Sequence, residues 1–255
     1  MDQAIHFAAD FPWRSEVALG DVVEAPRTWD VELFARAAHL LGRWNARSTS
    51  PAVLARSAFP AGYALRMYAE RAVPARGLGP LADDGLWAHP WLACHADLRA
   101  DLRRLGSCIP AMLDRLDTFV QAMPHGDASP QNLLVPADGP DGFVVIDISF
   151  RSPHALGFDL GQLLVGLTHA GHLPAAVLDE LADRILPAYL DGLETEGLTG
   201  LRDDVAEAFA LSVQLRSGFD AIPWEWLDDP VHERDVAERV ALARCLVGRA
   251  LAHVG

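Results

Sequence analysis

Lysine is absent from this sequence of 255 residues, and all 21 of its basic residues are arginine. A lysine ammonium commonly serves as a point charge on phosphate, and it is the amine that forms Schiff bases in enzymes. Mechanisms that need a lysine side chain are therefore excluded for these 255 residues by themselves. Arginine is the only side chain here with a permanent positive charge.

Cysteine is scarce, and long apolar runs are missing. Cys94, Cys108 and Cys245 are odd in number and widely spaced, so the sequence predicts neither a disulfide framework nor a cysteine zinc site. The N-terminus lacks the basic start and apolar run of a signal peptide, and stretches such as 163–167 are too short to span a bilayer. We therefore expect a soluble, cytoplasmic protein.

The charge balance narrows the class of partner. A formal net charge of −14 repels nucleic-acid backbones and anionic membranes, so we expect neither as a partner. The same field favours cationic small molecules such as amines or amino sugars. With 51% hydrophobic and 22% charged residues, the composition is that of an ordinary globular protein with one core or two unequal lobes.

Helical periodicity dominates the chain. Apolar residues recur at helical spacing over Val31–Ala46, and the pattern predicts a second helix from about Ile109 to Met123, with Pro110 as its start signal. From 159 to 254 the pattern is helical, with predicted breaks near Pro174, Gly192, Gly200, Pro223 and Pro230. Between 51 and 85, proline and glycine predict short helices, such as 64–72, and an exposed loop over 75–85.

Strand signals are few. The apolar runs Asn132–Val135 and Phe143–Ile146, joined by PADGPDG, predict a β-hairpin between helices, and Val17–Val23 predicts one early strand. The expected fold class is therefore mainly α, or α+β overall, with a short hairpin.

One segment carries a recognisable chemical pattern. It is HGDASPQN, from His125 to Asn132, followed by Asp147 at the end of the run FVVI. Phosphoryl transfer needs a group that orients the substrate hydroxyl and oxygen ligands that hold magnesium against the phosphates. Asp127, Asn132 and Asp147 could supply both. The alternative is that Asp127 and Asn132 only shape a turn, and that Asp147 only ends a strand.

The pattern H-G-D-x-x-x-x-N followed by a strand ending in I-D resembles the motifs of the aminoglycoside phosphotransferase and choline kinase-like family. The resemblance implies the C-terminal lobe of the protein kinase-like fold over 31–255, after a hinge-like segment at 1–30. It also implies transfer of the ATP γ-phosphate to a small-molecule hydroxyl with Mg²⁺. Asp127 would be the catalytic base, Asn132 and Asp147 the magnesium ligands, and His125 a residue that shapes the loop.

Two further segments match the same family. In GFDLGQLL, Asp159 resembles the aspartate that supports the catalytic loop from beneath; a helix N-cap is the alternative. In EVALGDVV, Leu19, Gly20 and Asp21 resemble the hinge that faces adenine; burial of a strand edge is the alternative.

The substrate side of the site is predicted in SGFDAIPWEWLDDP. Asp220, Trp224, Glu225 and Trp226 combine aromatic rings with carboxylates, which suits a cationic, hydroxylated ligand. The alternative is that the tryptophans anchor the core and the acids face solvent.

An N-terminal β-lobe with its strand lysine is absent or vestigial in this sequence. Three explanations stay open: the chain is a piece of a longer enzyme, a partner supplies the lobe, or the protein is a non-catalytic kinase relative, a pseudokinase that binds or scaffolds. A metal-hydrolase cluster around His125 and Asp127 is a further alternative, which lacks companion histidines at suitable spacing.

Overall fold

The computed structural model describes residues 28–137, 142–148 and 152–254, and helices predominate in them. This confirms the mainly α prediction. The α-helices are α1 (Val31–Arg47), α2 (Pro51–Leu54), α3 (Tyr63–Met67), α4 (Gly79–Ala82), α5 (Asp84–Trp87), α6 (Ala96–Asp117), α7 (Phe158–His169), α8 (Leu178–Thr195), α9 (Arg202–Val213) and α10 (Glu233–Leu251). Tyr68–Leu78 and Gln214–Gly218 are π-helical, and Pro130–Asn132, Ala175–Val177, Trp224–Trp226 and Pro230–His232 are 3-10 turns. No helix of the described residues is both long and apolar enough to cross a membrane.

Within the described ranges the strands are short and form two antiparallel pairs. They are β1 (Gln121–Ala122), β2 (Leu133–Leu134), β3 (Val144–Val145) and β4 (His154–Ala155). β1 pairs with β4, and β2 pairs with β3 with Leu133 opposite Val145. The predicted hairpin is confirmed with shorter strands, whereas the predicted strand at 17–23 lies outside the described residues.

Helices α1 and α8 cross at close range. α1 begins where the Asp30 carboxylate accepts a hydrogen bond from the Leu33 N–H at 2.9 Å, which agrees with the predicted start at Val31. A Cβ added to Gly192 would lie 2.1 Å from the His39 carbonyl oxygen, so only glycine fits there. The predicted break near Gly192 is wrong, because α8 continues to Thr195 and uses this glycine for packing.

Helix α6 begins well before the predicted start at Ile109. Its buried face starts at Leu98 and continues to Leu116 across Pro110, which lies inside the helix. An interior proline costs about 3 kcal/mol, and burial of this long apolar stripe offsets the cost. The predicted end at Met123 is also wrong, since α6 ends at Asp117 and the chain then enters β1.

The segment predicted as an exposed loop at 75–85 is largely helical. Most of its side chains are exposed, but Gly77 and Leu81 are buried. A Cβ at Gly77 would lie 2.7 Å from the Phe219 carbonyl oxygen, so this glycine allows close contact with the chain that follows the second π-helical segment. The loop prediction failed because glycine and proline were interpreted only as breakers.

Candidate functional site

The loop His125–Asn132 joins β1 to β2, and Asp159 holds its backbone from below. The Asp159 carboxylate accepts hydrogen bonds from the N–H groups of His125 (2.9 Å) and Gly126 (3.0 Å). Gly126 has a φ of 94°, a left-handed conformation that suits glycine, and it turns the chain over the carboxylate. At the loop entrance the Met123 N–H donates to the Ser48 Oγ at 3.1 Å.

Asp159 lies inside the first turn of α7, and its relative exposure is 1%. The residue at the N-cap position is Gly157, so the N-cap alternative does not describe Asp159. Negative charge in the first turn of a helix is stabilised by the helix dipole. The helix and two loop amides therefore act on the same carboxylate.

Two more helices complete this buried network. The Asn45 Nδ2 on α1 donates to Asp159 Oδ2 at 3.1 Å and to the Tyr189 hydroxyl at 3.0 Å. The Tyr189 hydroxyl on α8 also accepts the Gly157 N–H at 3.0 Å. Burial raises the pKa of Tyr189, so the side chain stays neutral. Asn45 and Tyr189 were not identified from the sequence.

His125 is fully buried and shapes the loop. Its Nδ1 accepts the Asp127 N–H at 3.2 Å, and its ring lies 5.9 Å from that of Trp44 in an edge arrangement. The Nδ1 lone pair is therefore used within the loop. Among the described residues, no group of three His, Cys, Asp or Glu is arranged to hold a metal ion.

Asn132 and Asp147 are linked through the backbone of the hairpin. The Asn132 Nδ2 donates to the Asp127 carbonyl at 2.8 Å, and the Ile146 N–H donates to the Asn132 carbonyl at 3.1 Å. Asp147 therefore follows directly on a residue bonded to Asn132. Its side chain is exposed, and its φ of 50° is unusual for a residue other than glycine.

The oxygen donors of Asn132 and Asp147 are of the type that a magnesium ion binds. Because the amide nitrogen of Asn132 is used inside the loop, its Oδ1 is the atom left for a ligand. An amide oxygen and the Asp147 carboxylate are the hard oxygen donors that Mg²⁺ prefers, and this ion commonly keeps several waters and takes the rest of its shell from phosphate. Two protein ligands are therefore a suitable set.

Asp127 is paired with an arginine that the sequence did not reveal. The Arg216 Nη2 donates to Asp127 Oδ1 at 2.9 Å, and its Nη1 donates to the Gly126 carbonyl oxygen. Arg216 belongs to the π-helical segment Gln214–Gly218, 89 residues after Asp127. The one sequence signal was a single charged residue within the apolar stretch LSVQLRSGF, which is typical of a charge with a buried partner.

The predicted substrate residues have different environments. Desolvation raises the pKa of Asp220 to about 6, although the positive charges of Arg76, Arg239 and Arg216 act to lower it. Trp224 is half-buried, donates its Nε1 to the Arg76 carbonyl at 2.7 Å and packs 5.7 Å from the Trp87 ring. Trp224 therefore packs as a core anchor, which was the alternative interpretation of the sequence.

Trp226 and Glu225 complete this group. The Trp226 ring is half-buried and stacks on His232 at 4.7 Å, so it too has an anchoring contact. Glu225 is exposed, which matches the alternative of an acid facing solvent. Asp220 is thus the partly buried acid of this group, and Glu225 is the exposed one.

The predicted hinge residues Leu19, Gly20 and Asp21 lie outside the described part of the chain. Comparisons with protein-family models, with curated proteins and with solved structures found no match to this sequence or its fold. The function is therefore inferred from the geometry around Asp127 and from the motif.

Proposed function

We propose that the protein is an ATP- and magnesium-dependent phosphotransferase of the aminoglycoside phosphotransferase and choline kinase-like kind, which transfers the γ-phosphate to a small-molecule hydroxyl. The observation that carries the proposal is the arrangement around the hairpin. Asn132 bonds through its side chain to the Asp127 carbonyl and through its own carbonyl to the residue before Asp147, and Asp159 accepts the two amides at the start of the loop. The proposal includes a kinase-like large lobe over 31–255 and a cytoplasmic location.

Each residue has a distinct part in this reaction. Asp127 orients the substrate hydroxyl and accepts its proton, while Asn132 and Asp147 would hold the magnesium ion of the nucleotide. Bound magnesium would neutralise the charge of those phosphates. Asp159 and His125 keep the loop in shape and do not touch the reactants. This division agrees with burial, since Asp147 is exposed and both supporting residues are buried.

The acceptor is proposed to be a hydroxylated and cationic small molecule. The formal charge of −14 raises the local concentration of such a ligand. Asp220 already lies in the field of Arg76, Arg239 and Arg216, so the support for a cationic acceptor is the net charge and not this residue.

Calorimetric titration of the chain with magnesium-ATP tests the nucleotide site. We expect binding by the wild-type protein, and a loss of at least about tenfold in affinity for Asp147→Asn, since this change removes the anionic metal ligand. Asp114→Asn is the matched control because Asp114 is an exposed carboxylate on α6. Equal binding by wild type and both variants would contradict the metal role of Asp147.

A non-catalytic binding protein is the second candidate, and the absence of lysine favours it. Such a protein could bind the nucleotide yet show no turnover. A screen of amino alcohols and amino sugars for phosphate acceptance separates the two candidates. Binding of magnesium-ATP with no ADP release for any acceptor, or for water, would favour the non-catalytic protein.

A further inference from the structure

Asp127 has its main chain fixed on both sides. Its N–H donates to the His125 Nδ1 at 3.2 Å, and its carbonyl accepts the Asn132 Nδ2 at 2.8 Å. The side-chain torsions are then the only freedom left to the candidate base. The terminal torsion of aspartate is broad, so these backbone bonds alone do not decide which oxygen faces a substrate.

Arg216 removes this remaining freedom. It binds one carboxylate oxygen of Asp127 through Nη2 and the neighbouring Gly126 carbonyl through Nη1, so the planar guanidinium spans side chain and backbone of the same loop. With Oδ1 held in this way, Oδ2 is the oxygen left for a substrate hydroxyl. The side chain of Arg216 is 8% exposed and that of Asp127 is 21% exposed, so the contact is shielded from water.

The segment that carries Arg216 is itself well fixed. The neighbouring Ser217 hydroxyl accepts a hydrogen bond from the Gln162 Nε2 at 3.1 Å, and the Arg216 guanidinium lies 5.7 Å from the Phe158 ring centre. A Cβ at Gly218 would lie 2.2 Å from the Gln214 Oε1, so the π turn is tightly packed.

Stability alone is a weak reason for an arginine at this place. Burying an ion pair usually gains no more than an apolar contact of the same volume, because both charges lose their hydration. An apolar side chain could not hold one particular carboxylate oxygen, whereas a guanidinium can.

We infer that Arg216 is a positioning residue for the proposed phosphotransfer, which orients the Asp127 carboxylate so that Oδ2 receives the proton of the acceptor hydroxyl. The inference rests on the proposed function.

The test is steady-state ADP release from magnesium-ATP, with the best acceptor or with water, in wild type and in Arg216→Ala, Arg216→Lys and Arg99→Ala. Arg99 is the matched control, as a mostly buried arginine that donates to the Leu81 carbonyl and pairs with Asp84 at 2.8 Å. For Arg216→Ala we expect kcat to fall about 100-fold, since misplacing a reacting group by about 1 Å has that effect, with KM for magnesium-ATP within about twofold.

Two further readouts separate positioning from folding. Millimolar guanidinium should restore at least about tenfold of kcat in Arg216→Ala, by filling the space left by the side chain, and should leave Arg99→Ala unchanged. Arg216→Lys should lose about tenfold, because one compact ammonium cannot span both acceptors. If circular dichroism shows that the alanine variant does not fold, Arg216→Lys carries the test alone.

The outcomes distinguish the two proposals. Wild-type turnover with an unchanged kcat in the Arg216 variants would overturn the positioning role and leave the phosphotransferase standing. An effect in KM alone would also overturn it, because Arg216 would then contact the nucleotide. A loss equal to that in Arg99→Ala, or no rescue by guanidinium, would assign the effect to folding. Absence of turnover in wild type would overturn the phosphotransferase and with it the role of Arg216.

Discussion

Replacing Asp159 by asparagine probes the support of the loop with almost no change of shape. Asp159 is 1% exposed, and its carboxylate accepts hydrogen bonds from the N–H groups of His125 and Gly126 and from the side-chain amide of Asn45. An asparagine has only one acceptor oxygen. Whichever way its amide is turned, its NH₂ group faces at least one of these donors.

The expected loss of stability follows from this count. One charge-assisted bond is lost and a buried N–H is left without an acceptor, which costs about 2 kcal/mol, and the remaining bonds lose their charge assistance. Relief from burying a charge offsets part of the cost. We expect the free energy of unfolding to fall by about 3 kcal/mol, with α1, α7 and the loop all affected.

Urea unfolding followed by circular dichroism measures this loss. With a slope of about 3 kcal/mol per molar urea, the midpoint should fall by about 1 M. Asp179→Asn is the control: Asp179 is 80% exposed and pairs with Arg249 on the surface, so its midpoint should fall by no more than about 0.3 M. A shift for Asp159→Asn no larger than that of the control would refute the conclusion that this carboxylate holds the loop.

Two further predictions concern Asp220 and the crossing of α1 and α8. The pKa of Asp220 is raised to about 6, so its contribution to stability is present below its unfolded pKa near 4 and is lost as pH rises through 6. Between pH 4.5 and pH 7.5 the free energy of unfolding of Asp220→Asn, measured by urea titration, should therefore rise by about 2 kcal/mol relative to that of wild type. A fall relative to wild type over that interval would contradict the burial of this carboxylate. Gly192→Ala should lose about 2 kcal/mol or more because its Cβ would meet the His39 carbonyl at 2.1 Å. Gly248→Ala on α10, where a Cβ meets nothing within 4 Å, should be slightly more stable than wild type. Equal thermal midpoints for Gly192→Ala and Gly248→Ala would refute the close crossing of α1 and α8.

The sequence predicted best those features that depend on local patterns. α1 has a clear amphipathic stripe with Asp30 as its cap, and the hairpin has turn residues between two apolar runs. Both signals lie within a few residues of the structure they specify. The order of helix, loop and hairpin around Asp127 could be predicted for the same reason.

Features that depend on distant contacts could not be predicted. Pro110 and Gly192 are helix breakers by local preference, yet each lies inside a helix whose packing outweighs that preference. Arg216 is 89 residues from Asp127, so no spacing rule joins them. Asn45 and Tyr189 are ordinary helical residues until three helices bring them to Asp159.

The polar network under the loop also links the candidate site to the packed helices of the core. Three helices that are far apart in the sequence contribute Asn45, Asp159 and Tyr189 to this network. The amides of His125 and Gly126 donate to Asp159. The loop amides bond to a buried carboxylate that α1 also contacts, so opening of the loop would leave that carboxylate with fewer donors. We therefore expect the amide hydrogens of His125 and Gly126 to exchange about as slowly as those of the core helices.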